Sequence, residues 1–69
     1  MVKQIKTHEL IINKSFAEIV LNRPGELNSI NEDFLTEMPE TLKNIEDNLN
    51  IRAVLIKSTG KAFCVGLDI

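Results

Sequence analysis

Towards the end of the chain, Lys61-Ala62-Phe63-Cys64-Val65-Gly66-Leu67-Asp68-Ile69 brings an aromatic, a thiol, a glycine and a carboxylate together in quick order. The segment follows a β-rich run, Ala53-Val54-Leu55-Ile56-Lys57-Ser58. This order reads as a strand passing through a tight loop towards a helix N-terminus. Such a loop aims free backbone N–H groups at whatever sits beyond the strand end. The chemistry on offer is hydrogen-bond donation from the backbone.

The side chains offer less. Cys64 would need an activated thiolate to act as a nucleophile, and no histidine lies near it in sequence; it reads as a small buried packing residue. His8 reads as a strand-surface residue. Asp68, at an expected helix start, suits a carboxylate that accepts backbone N–H bonds and steadies the loop. Gly60-Lys61 lacks the following Ser or Thr and the glycine spacing of a phosphate loop, so a surface turn is expected. Glu32, Asp33, Glu37 and Glu40 read as a solvated helix face, and no metal site is expected. Arg23 is a candidate phosphate contact.

Composition narrows the classes further. The chain has 69 residues, at most one small domain, with one cysteine and one histidine. A lone cysteine excludes an intrachain disulfide and fits a reducing compartment, so a cytoplasmic protein is expected. A Cys/His zinc site is also excluded. Eight basic against ten acidic residues leave no basic stripe for a nucleic-acid backbone. No apolar run approaches the roughly 20 residues needed to span a bilayer, and the N-terminus has no signal-peptide apolar core. Neither nucleic acid nor membrane is an expected partner.

The elements that position the terminal segment follow from patterning. Ile5 to Ile12 and Phe16 to Leu21, joined by the turn residues Asn13-Lys14-Ser15, read as a β-hairpin. In the second strand Phe16, Glu18 and Val20 share one face, and Ala17, Ile19 and Leu21 the other. Asn22-Arg23-Pro24-Gly25-Glu26 breaks the regular structure. A helix is expected from the N-cap Asn31, with Glu32 and Asp33 at the positive end of its dipole. Its apolar stripe is Phe34, Leu35, Met38, Leu42, Ile45 and Leu49. Pro39 interrupts the helix at a cost of about 3 kcal/mol, and a kink within one helix is expected because the stripe keeps its phase. Ile51 to Ser58 makes the next strand. The fold class is therefore α/β, a β-hairpin followed by a βαβ unit with parallel strands. Such a unit leaves a parallel edge open and reads as the opening of a larger domain.

Four segments then combine. Ile19-Val20-Leu21-Asn22-Arg23-Pro24, Leu27-Asn28-Ser29-Ile30-Asn31, Ile51-Arg52-Ala53-Val54-Leu55-Ile56 and Gly60 to Ile69 resemble, in order and spacing, the N-terminal region of the enoyl-CoA hydratase/isomerase (crotonase) family. The resemblance covers nearly the whole chain and about the first quarter of a typical member. It implies that residues 1–69 are a partial crotonase-like domain, the opening part of a ββα spiral fold.

Family members bind an acyl-CoA and hold its thioester oxygen in an oxyanion hole of two backbone N–H groups. Pre-aimed donors stabilise the enolate-like charge that develops there. By resemblance the first N–H belongs to Leu67, after Gly66, whose missing Cβ lets the thioester approach. Leu27 and Ser29 would line the CoA site, mostly through backbone atoms. Val65 would touch the ligand through its backbone, with Arg23 and Asp68 completing the CoA side. Ser29 stands where alanine is frequent.

The resemblance implies no prosthetic group, coenzyme A as part of the substrate, and homo-trimers or hexamers. It places the second oxyanion donor and the acid/base glutamates beyond Ile69. The expected activity is hydration of the 2,3 double bond of an enoyl-CoA, with this segment alone inactive. The alternatives are a non-catalytic truncated homologue that docks or binds CoA, or another crotonase reaction such as isomerisation, decarboxylation or polyketide-branching dehydration.

Overall fold

Alternation between apolar and polar side chains is realised as a sheet with one face buried. The structure, a computed structural model, describes residues 1–67. Strands β1 (Val2–Gln4), β2 (His8–Asn13), β3 (Phe16–Leu21) and β4 (Ala53–Ser58) form one sheet in the order β1-β2-β3-β4, with helix α1 (Glu32–Asp47) between β3 and β4. The β2–β3 hairpin turns through Lys14 and Ser15. Asn13 pairs with Phe16, and Lys14 adopts φ 58°, the positive φ that a tight hairpin loop demands. β3 and β4 pair in parallel, Phe16 opposite Ala53 through Leu21 opposite Ser58. The expected hairpin and βαβ unit are both present.

Three boundaries differ from the sequence reading. The first hairpin strand runs over His8–Asn13, not Ile5 to Ile12, because Ile5 N–H donates to His8 O in a turn before the strand. Val2–Gln4 is a separate strand, antiparallel to β2, where no strand is expected from its short mixed pattern. β4 starts at Ala53, because Arg52 N–H and Ala53 N–H both donate to Ser15 O and hold the approach to the strand against the hairpin turn.

The core lies between α1 and the face of the sheet carrying Leu10, Ala17, Ile19 and Leu21, all buried, as the alternation in Phe16–Leu21 predicts. Ile5, Ile12, Phe34, Met38, Ile45 and Cys64 pack against it. Asn31 caps α1 as expected, its side chain accepting from Phe34 N–H at 2.9 Å. Pro39 sits inside one unbroken helix, not at a junction between two. The apolar stripe is narrower than predicted. Phe34, Met38 and Ile45 face the core with Thr41 among them, whereas Leu35, Leu42 and Leu49 are exposed. Leu35 and Leu42, seven residues apart, form a second row on the helix, rotated away from the sheet, and Leu49 lies past the helix end at Asp47. At the other edge Val54 and Ile56 share the core face by register with Ala17 and Ile19, yet each stays about half exposed.

His8 corrects the sequence reading. It is fully buried, not on a strand surface, and joins a polar chain across the helix–sheet interface. Nδ1 lies 3.0 Å from Thr7 Oγ1, and Nε2 lies 2.6 Å from Thr41 Oγ1. The Thr7 hydroxyl donates to Glu37 Oε1 at 2.7 Å, and Thr7 N–H donates to the same oxygen at 3.0 Å. With the Thr7 proton committed to Glu37, Nδ1 must be the donor to Thr7, which leaves Nε2 to accept from Thr41. The neutral Nδ1–H tautomer satisfies every partner. Burial pushes the His8 pKa down, against a smaller upward pull from Glu37. Glu37 is therefore a helix-docking residue instead of part of a solvated face. On the outside, Lys6 and Asp33 pair at 2.9 Å, and this contact raises the Lys6 pKa.

Candidate active site

Two loops leave the same end of the sheet, one after β3 and one after β4. The first runs through a 3-10 turn, Pro24–Glu26, and then places Leu27 and Asn28 in succession at φ 52° and 55°. Its backbone is bonded internally: Leu27 N–H to Pro24 O at 3.2 Å, Asn28 N–H to Arg23 O at 2.8 Å and Ser29 N–H to Glu26 O at 3.0 Å. Arg23 Nη1 donates to Ser29 O at 2.6 Å and reaches Ser29 Oγ at 3.3 Å. The backbone donor and acceptor of Ser29 are thus both engaged within the loop, and Ser29 is buried, while Leu27 is exposed. The Arg23 guanidinium braces the loop against Ser29.

The second loop is fastened to the first along its length. Thr59 N–H donates to Leu21 O at 3.0 Å, and the Thr59 hydroxyl lies within reach of Leu21 O and Asn22 Oδ1. Gly60 has φ +82° and sits so close to the first loop that a Cβ there would lie 2.8 Å from Pro24 Cβ. Asn28 Nδ2 donates to Thr59 O at 2.7 Å and to Ala62 O at 2.9 Å. Beyond this the chain is extended: Phe63, Val65 and Leu67 are exposed, and Ala62, Cys64 and Gly66 are partly buried. Cys64 turns towards the core and packs there.

The loops meet again at a parallel bridge between Ile30 and Leu67, where Ile30 N–H donates to Gly66 O at 2.8 Å. A trans peptide is planar, with its C=O and N–H pointing in opposite directions. Tying Gly66 O to Ile30 therefore turns the Leu67 N–H away from the first loop. Among the described residues this N–H has no acceptor. Gly66 holds φ +100°, a conformation that favours glycine, and nothing lies within 4 Å of where its Cβ would be. The open space and the outward N–H lie on the same peptide.

The predicted residues Arg23, Leu27, Ser29, Val65, Gly66 and Leu67 therefore fall on two loops held against each other. Asp68 lies outside the described residues, as does any helix it would start. Sequence reasoning passed over Asn28, Ile30 and Thr59, which join the loops. An asparagine between two loop residues, able to adopt a left-handed backbone, was the available signal. What the arrangement can do chemically is donate a backbone hydrogen bond from Leu67. His8 lies elsewhere, in the helix–sheet interface, as does a concavity of about 270 Å³ lined by Lys3, Gln4, Ile5, Glu37, Glu40, Thr41 and Asn44.

Comparison with known proteins bears on this geometry. The family model for enoyl-CoA hydratase/isomerase matches residues 11–69. The peroxisomal Delta(3,5)-Delta(2,4)-dienoyl-CoA isomerase of Arabidopsis thaliana is 33% identical over 67 residues, which are 93% of this chain and 24% of that protein. The 1,2-epoxyphenylacetyl-CoA isomerase of Escherichia coli (strain K12) is 36% identical over 58 residues, 84% of this chain and 22% of that protein. A crystal structure of an enoyl-CoA hydratase/isomerase from Mycobacterium paratuberculosis superposes with a TM-score of 0.90 at 29% identity, covering 96% of this chain and 26% of that one. The chain spans about a quarter of the length of the curated relatives it matches. With the family model covering most of its residues and the fold shared over 96% of its length, this chain belongs to the enoyl-CoA hydratase/isomerase (crotonase) family, whose N-terminal segment it matches.

Proposed function

We propose that the protein carrying this chain binds an acyl-CoA thioester and stabilises the enolate formed from it, with the Leu67 N–H as one donor to the thioester oxygen. The observation that supports this is the Gly66–Leu67 peptide, its carbonyl held by Ile30, so that its N–H points away from that contact, with open space where a Gly66 Cβ would be. A donor fixed before the substrate arrives costs no reorganisation when charge develops, so it favours the transition state over the ground state. Residues 1–69 form part of one crotonase-like domain. Leu27, Ser29 and Val65 border the CoA, Arg23 braces that border through Ser29, and Asp68 completes it. Coenzyme A enters as part of the substrate.

The reaction is hydration. Water adds across the 2,3 double bond of an enoyl-CoA, its oxygen bonding to C3 and a proton to C2, giving a 3-hydroxyacyl-CoA. Proton transfer requires acid/base groups in addition to the backbone donor. Isomerisation is the second reading, favoured by the names of the two relatives above, both isomerases. It would move a proton through the same stabilised enolate. We assign the protein to the cytoplasm, where Cys64 would stay reduced.

The test uses the full-length protein. Loss of conjugated-thioester absorbance from a 2-enoyl-CoA, with 3-hydroxyacyl-CoA as product, supports hydration. Conversion of a 3,5-dienoyl-CoA to its 2,4-isomer, with no hydration, replaces it by the second reading. Binding without turnover of either would identify a CoA-binding module, and absence of binding removes the acyl-CoA assignment altogether.

A further inference from the structure

We propose that Asn28 is the positioning residue that sets the Leu67 N–H, by clamping the loop bordering the CoA to the loop carrying the donor. The inference rests on the reading of Leu67 as the thioester-oxygen donor. Asn28 is buried, and its side chain makes three hydrogen bonds. Oδ1 accepts from Arg23 N–H at 2.7 Å, while Nδ2 donates to Thr59 O at 2.7 Å and Ala62 O at 2.9 Å. Its own N–H donates to Arg23 O, so Arg23 and Asn28 close a ring within the first loop. The amide then reaches out of that ring to the second loop at two points.

The chemistry leaves little room for another residue. The site requires one acceptor and two donor hydrogens on a short side chain, in a residue at φ 55°. Asparagine meets both demands, because its amide has both functions and its backbone tolerates the left-handed region. Aspartate keeps the acceptor and would set a carboxylate against two carbonyl oxygens. Glycine keeps the backbone and loses all three bonds. Two residues after Asn28, Ile30 donates to Gly66 O. The clamp on Thr59 and Ala62 therefore fixes where the second loop starts, and the Ile30 bond fixes how the Gly66–Leu67 peptide is turned. Leu27 and Ser29 flank the clamp, so a ligand bordered by them would bear on the same hinge of bonds.

The experiment compares Asn28→Asp and Asn28→Gly with the wild type in the full-length protein, folding being checked by circular dichroism. Two readouts are taken: hydrogen exchange at the Ile30 amide, and kinetics with the absorbance shift of a bound chromophoric aryl-enoyl-CoA. Both variants are expected to speed Ile30 exchange at least about tenfold and to lower kcat by about 10- to 100-fold, as misplacement of a donor does. KM should move less than about threefold, and the absorbance shift should shrink at saturating probe. Asn28→Gly, which carries no added charge and no backbone strain, decides the matter if Asn28→Asp fails to fold. Unchanged Ile30 exchange in a folded variant overturns the clamp, whatever the wild type does. Faster exchange with wild-type kcat and absorbance shift overturns the positioning role. A wild type that neither binds nor shifts the probe overturns the acyl-CoA reading and, with it, the catalytic part of this inference, while the exchange result still judges the clamp.

Discussion

Ile30 N–H and Gly66 O are 2.8 Å apart across two loops, and this bond decides which way the Leu67 N–H points. Because the peptide is planar, a contact on its carbonyl side orients the donor on its other side without touching it.

Leu67→Pro removes the N–H from this peptide. If Leu67 supplies one oxyanion donor, kcat should fall by about 10²–10³. Leu67→Ala, which changes an exposed side chain and keeps the donor, should lose much less, under about tenfold. Steady-state kinetics of both variants with an enoyl-CoA checks this; equal losses would mean that the side chain and not the backbone matters.

Gly60 and Gly25 should respond differently to alanine. At Gly60 a Cβ would lie 2.8 Å from Pro24 Cβ in a residue at φ +82°, whereas at Gly25 nothing lies within 4 Å. Gly60→Ala should destabilise by about 1–3 kcal/mol, and Gly25→Ala by no more than about 0.5 kcal/mol. Chemical denaturation compares them; similar values would show that the loops are not held as closely as described.

His8 should make stability depend on pH. Its pKa is lowered from 6.5 by burial, so the fold favours the neutral form. Between the lowered folded value and 6.5 the unfolded chain binds the proton and the folded one does not. Stability from this source is thus full above 6.5 and declines as pH falls through the folded value, by at most about 1.4 kcal/mol per pH unit. Thermal midpoints of the wild type should drop between pH 7.5 and 5 more steeply than those of His8→Gln. Thr41→Val, which strips Nε2 of its donor, should cost about 1–3 kcal/mol at neutral pH.

Pro39→Ala should stabilise. Pro39 is exposed and inside α1, where it has no N–H for Leu35 O. Restoring that bond, less the entropy that proline removes from the unfolded chain, should add roughly 1–3 kcal/mol. Equilibrium unfolding measures it, and a loss of stability would mean that the helix is shaped around the proline.

Much of the fold was legible because it is local. The alternation in Phe16–Leu21 assigned the buried face of β3, the Asn13-Lys14-Ser15 turn located the hairpin, and Asn31 marked the start of α1. Each depends on residues within a few positions of one another. The helix stripe was only half legible. Periodicity shows that Leu35 and Leu42 recur with Phe34 and Met38, but the width of the sheet beneath decides which row it covers.

The sequence by itself determined the order of hairpin, helix and parallel strand, the family and the two loops on which candidate site residues lie, since these follow from patterns read along the chain. Tertiary structure alone decided how those loops face each other. The bonds Asn28–Thr59, Asn28–Ala62 and Ile30–Gly66, and the burial of His8 against Thr41, join residues more than thirty positions apart. No local propensity encodes such partners. They arise when the parallel pairing of β3 with β4 brings both loops to one end of the sheet, and when α1 closes over β2.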